Sequence, residues 1–86
     1  MKNIAIIELQ IKNHLPIILN WARICHFKGW KLTVFTKKEY VEAIEDDLKQ
    51  YMSIENINII ESFNISNLFR NIKVLKKFDI VIIASL

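Results

Sequence analysis

Ile4-Ala5-Ile6-Ile7, a polar turn closing on Asn13-His14, Leu15-Pro16 opening a long apolar run to Lys28-Gly29, and then Leu32-Thr33-Val34-Phe35-Thr36: the succession of these segments decides the fold. The first and last are short continuous apolar runs, the pattern of strands buried on both faces of a parallel sheet. Between them lies a stretch long enough for a helix. Pro16 suits its first turn, where a missing N–H costs nothing, and Gly29 suits the residue just past its end. The unit is strand, loop, helix, strand. It places His14 at the carboxyl end of the first strand and the amino end of the first helix, the edge of an open parallel sheet where ligands bind.

The rest of the chain repeats that alternation. Thr36-Lys37-Lys38-Glu39 has the form of a capping box, in which the threonine hydroxyl caps a helix and the glutamate reaches back. The helix it would open, about Lys37 to Tyr51, carries Val41, Ile44, Leu48 and Tyr51 on one stripe. Glu42, Glu45, Asp46 and Asp47 lie mostly on the other side, as on a solvated helix face. Ile57-Asn58-Ile59-Ile60 reads as a third strand. Ser62 or Asn64 can cap a third helix with Ile65, Leu68, Ile72 and Leu75 as its buried stripe. Ile80-Val81-Ile82-Ile83-Ala84 is the fourth strand, and Asp79 before it suits a turn from helix to strand.

The order β-α-β-α-β-α-β with right-handed crossovers predicts one Rossmann-like domain over residues 1–86. Its four-stranded parallel sheet has spatial order 3-2-1-4. The first two helices share one face. A single helix about 10 Å wide cannot cover the other face of a sheet roughly 15–19 Å wide, so the three layers are incomplete there. Self-association, or packing against a further domain, is therefore expected. The first helix is apolar on most of its circumference. Leu15, Ile18, Leu19, Ala22 and Cys25 form one stripe and Ile17, Trp21 and Ile24 a second, leaving a narrow wet face around Asn20 and Arg23.

Composition removes several classes of function. A hydrophobic fraction of 52% against 24% charged marks a globular chain and not a disordered one. The net charge of +3 comes from dispersed lysines, and the tightest group, Lys73, Lys76 and Lys77, complements a helix dipole. With no basic stripe interleaved with aromatics, nucleic acid is not expected as a partner. The single cysteine, Cys25, forms no internal disulfide and reads as a core residue of a cytosolic protein. Adjacent Cys25 and His26 diverge on a helix, so no metal site is expected. Glu8 interrupts the first apolar run, which reads as a strand and not a signal peptide, and no run is long enough to span a membrane. The expected location is cytoplasmic, at most peripheral to a membrane.

The loop from Glu8 to Asn13 has no glycine, so it cannot supply the tight turn and close backbone approach that a dinucleotide or a P-loop requires. No bound cofactor is expected. A phosphorelay receiver also fits poorly, since Glu8 alone stands for its acidic pair. The polar residues left at the carboxyl edge are Glu8, Gln10, Asn13, His14, Thr36, Glu61, Ser62 and Ser85.

His14, Pro16, Ala22, Gly29 and Leu32-Thr33-Val34-Phe35-Thr36 together resemble the amino-terminal signature of GT-B-fold glycosyltransferases. Many of these have a Gly-His pair and a nearby proline at the first helix, and a glycine before a strand ending in Val-Thr-hydrophobic-x-Thr. Here Asn13 stands in place of the glycine, and Pro16 falls one place earlier than in the commonest form. The likeness covers roughly the first forty residues. It implies the amino-terminal, acceptor-side part of a sugar transferase of the kind that builds cell-surface polysaccharide. The donor-binding domain would lie elsewhere, so the segment would be inactive alone. His14 then matches the general base of inverting members, and Glu8, Gln10, Asn13 and Ser85 would face the sugar acceptor. The alternative for His14 is a hydrogen-bonding residue at a loop and helix start. The alternative for the whole chain is a small non-catalytic module that binds a partner protein or small ligand.

Overall fold

The computed structural model describes residues 2–10, 15–51, 57–61 and 72–85. Strand β1 is Asn3–Glu8, helix α1 Leu15–Lys28, β2 Lys31–Thr36, α2 Lys38–Tyr51, β3 Ile57–Glu61, α3 Ile72–Leu75 and β4 Ile80–Ser85. All strand pairs are parallel, and the sheet has the expected order β3-β2-β1-β4. The chain thus steps outward from β1 through β2 to β3, then crosses back to place β4 on the other side of β1. The switch point lies between β1 and β4.

Alternate residues of each strand serve the two faces. Ile4, Ile6, Leu32 and Val34 pack with Ile18, Ala22 and Cys25 of α1 and with Ile44 and Leu48 of α2. On the other face Ala5, Ile7, Leu9 and Phe35 are buried, with Leu75 and Phe78 against them. The Phe35 and Phe78 rings meet edge to face, with centroids 5.8 Å apart. Ile83, in register with Ile7 on that second face, remains 57% exposed. Among the described residues, the sheet is covered on one side by α1 and α2 and partly open on the other, where α3 is a single turn.

Gly29 ends α1 at φ 70°. Its N–H donates to the His26 carbonyl at 3.4 Å, and the Trp30 N–H donates to the Cys25 carbonyl at 2.9 Å. These two bonds make a Schellman stop, and the positive φ is why glycine serves there. At the start of β4, Asp79 does more than turn the chain. Its Oδ2 accepts the Asn3 N–H at 2.7 Å, and its own N–H donates to the Asn3 carbonyl at 2.8 Å. That pair of bonds pins β4 to β1.

Two expectations change. The Thr36–Glu39 capping box does not form: Thr36 is fully buried, and its Oγ1 has no hydrogen-bond partner among the described residues. Pairing with both Glu8 and Glu61 keeps Thr36 in β2, so α2 opens later, at Lys38, with the Tyr40 N–H on the Lys37 carbonyl. The wet face of α1 is also wider than its apolar sequence indicates. Ile18, Ala22 and Cys25 are buried, but Ile17 and Ile24 are exposed together with Phe27. A helix on one face of a sheet buries only the stripe that meets it: of the second stripe Trp21 packs partly against the core, and Ile17 and Ile24 stay exposed. The helix stripe positions Ile65 and Leu68 and the caps Ser62 and Asn64 lie outside the described residues.

Candidate functional site

The carboxyl edge of the sheet is set by register. Thr36 lies opposite both Glu8 and Glu61, and Glu8 lies opposite Ser85. One row of polar residues, Glu61–Thr36–Glu8–Ser85, therefore closes all four strands where the apolar sequences end. Between Ile7 and Glu8 the β1–β4 register slips by one residue, so Ile7 pairs with Ile83 while Glu8 pairs with Ser85. Irregular pairing of this kind bends the strand ends apart and recurs near ligand sites. Here it falls at the switch point.

Glu8 is fully buried. Its Oε1 accepts the Gln10 N–H at 2.7 Å, a short-range bond that turns the backbone sharply as it leaves β1. Gln10 itself is exposed. The carboxylate is covered, so Glu8 would act on a ligand through the shape it gives to residues 8–10. Gln10 is the part of this turn that solvent reaches. Ser85 is held beside Glu8 by its backbone. Asn13 and His14, the remaining candidates, lie outside the described residues, immediately before Leu15 at the start of α1.

Thr36, expected both as a helix cap and among the polar residues of the carboxyl edge, is fully buried there. Sharing a strand face with Leu32 and Val34, it brings a hydroxyl into the α1/α2 layer at the inner limit of the edge. The signal in the sequence was its place as the last residue of an apolar strand. Among the described residues, no group of three His, Cys, Asp or Glu side chains lies together as a metal ion would require. Cys25 is buried in the core, and burial pushes its thiol pKa up, which makes it a poor nucleophile.

No family model, no curated protein and no solved structure matches this chain.

Proposed function

We propose that the carboxyl edge binds the acceptor in a sugar-transfer reaction, the chain forming the acceptor side of a GT-B-like glycosyltransferase engaged in cell-surface polysaccharide assembly. The observation that carries this reading is the polar row at the end of an all-parallel 3-2-1-4 sheet, with Glu8 fixing the turn into exposed Gln10 at the switch point. Gln10, exposed at the switch point, can offer a hydroxyl-bearing ligand both a donor and an acceptor. His14, which precedes Leu15 in the sequence and lies outside the described residues, would take the proton of the attacking hydroxyl, because a neutral imidazole can accept it near neutral pH. The donor nucleotide would be held by another domain or chain, since the turn after β1 has no glycine to admit a pyrophosphate.

The test is an amide-resolved NMR titration of the 86-residue chain with oligosaccharides and, separately, with UDP-, GDP- and TDP-sugars. Oligosaccharides should shift the Gln10 and Ser85 amides, and Glu8→Leu, which has no oxygen to accept the Gln10 N–H, should weaken that response by releasing the turn. Nucleotide-sugars should leave those amides unmoved. Nucleotide-sugar binding at this edge would reverse the assignment of acceptor and donor sides. A chain that ignores every sugar is the non-catalytic module instead.

A further inference from the structure

The outer side of α1 and the amino edge of the sheet meet at a corner that the sugar-transfer reading does not use. Along α1, Ile17, Asn20, Ile24 and Phe27 recur at helical spacing and are exposed, Phe27 at 89% and Ile24 at 39%. Such a stripe is about 15 Å long at 1.5 Å per residue. The helix has no acidic residue, and its charges are Arg23 and Lys28 with His26 beside them. Where α1 ends, Lys2 and Lys28 both lie over the Trp30 ring, their Nζ atoms 5.3 and 5.1 Å from its centroid. The Lys31 N–H donates to the Lys2 carbonyl at 3.0 Å, which brings a third exposed lysine to the same place. Lys76 and Lys77 stand exposed just before β4, at the same edge.

We propose that this corner docks on an anionic lipid surface, with Phe27 and Ile24 entering the headgroup boundary and the surrounding lysines meeting lipid phosphates. An exposed phenylalanine costs hydration with nothing gained in the protein, and here its helix carries Arg23 and Lys28 and no acid. Interfacial helices combine those two features, an apolar stripe flanked by Lys and Arg. The acids of the domain orient the approach. Glu42, Glu45, Asp46 and Asp47 lie on α2, so an anionic surface is repelled from that helix. Asp79 is at the amino edge too, and its carboxylate, held on the Asn3 N–H, offsets part of the lysine charge there. Nucleic acid would also satisfy the lysines. It has no use for Ile17 and Ile24, whose aliphatic surface suits acyl chains. The proposal stands independently of the sugar-transfer reading.

Vesicle co-sedimentation of the full chain tests it, comparing phosphatidylcholine with vesicles in which phosphatidylglycerol replaces a third of the lipid. The chain should bind the anionic vesicles, bind neutral ones much more weakly, and lose binding as salt rises. Phe27→Ser should lower the anionic-vesicle partition about tenfold, the scale of losing one buried aromatic side chain. Lys2→Glu and Lys31→Glu should each lower it about fivefold or more. Phe27 and Lys31 are solvent-exposed, so those variants should unfold as the wild type does, while Lys2→Glu also gives up its contact with Trp30 and should still unfold cooperatively. Absence of binding to anionic vesicles overturns the proposal. So does binding that none of the variants alters, or a preference for a single-stranded oligonucleotide that survives Phe27→Ser.

Discussion

On β1, Ile4 and Ile6 turn toward α1 and α2, whereas Ala5 and Ile7 turn toward α3, and all four are fully buried. One strand further out, the faces part company. On β4, Ile80 and Ile82 pack against the α1/α2 layer, while Val81 and Ile83, in register with Ala5 and Ile7, are exposed. The strands are almost equally apolar on both sides. What differs is the partner: two helices of fourteen residues on one side, and on the other a described helix of four. Strand composition therefore reports that a residue lies in a parallel sheet, and only the helices decide whether it is covered. The stability of the domain should be concentrated on the α1/α2 side.

The largest effect should separate Ile6 from Ile83. Both are strand isoleucines, yet Ile6→Ala should destabilise by about 2–5 kcal/mol through lost burial and a residual cavity. Ile83→Ala, at a position already more than half exposed, should cost less than about 1 kcal/mol. Urea unfolding of the two variants measures the contrast. Equal losses would mean that Ile83 is covered in solution, as it would be in a self-associated form, and the open face would then be an interface.

The same distinction explains how much of the molecule was legible in its sequence. Strand order, parallel pairing and the helix stop at Gly29 follow from local signals that tertiary packing reinforces: apolar runs, a proline start and a glycine free to take positive φ. The exposure of Ile24 and Phe27 was not legible, because periodicity shows which residues are apolar and not which of them find a partner. The Thr36 cap failed for a different reason. A capping box is a local preference worth about 1 kcal/mol, and pairing of Thr36 with strands on both sides outweighs it. At the candidate site, the row Glu61–Thr36–Glu8–Ser85 followed from where the strands end, while the turn made by Glu8 on the Gln10 N–H depends on a rotamer that no sequence pattern encodes.

Thr36 offers the next test, because it is the polar interruption at the rim of the closed face. Its hydroxyl is buried with no hydrogen-bond partner among the described residues, a state that costs roughly 1–3 kcal/mol. Thr36→Val keeps the shape and the β-branching while removing the orphaned group. The variant should gain about 1 kcal/mol in urea unfolding, and its amide spectrum should change only near the carboxyl edge. A loss of stability instead would mean that the hydroxyl has a partner in solution, and the rim of the closed face would then be wetter than its burial indicates.

The smallest expected effect probes the centre of the closed face through Cys25. Its thiol is 1% exposed, and burial pushes its pKa above the ordinary 9.0 because the thiolate would be desolvated. The sign follows from linkage. Below the ordinary value both folded and unfolded chains carry the proton, so Cys25 gives no pH dependence. As pH rises past that value the unfolded chain ionises first and binds fewer protons than the folded one, so stability falls until the folded thiol ionises too. The loss one unit above the ordinary value is at most about 1.4 kcal/mol. Other groups titrate in the same range, so the measurement is a difference: the alkaline slope of stability for the wild-type chain minus that for Cys25→Ala. The wild-type slope should be the steeper, and a thiol reagent at neutral pH should label Cys25 only as fast as the α1/α2 face opens. Prompt labelling with equal slopes would show that this face is no better closed than the one that bears Ile83.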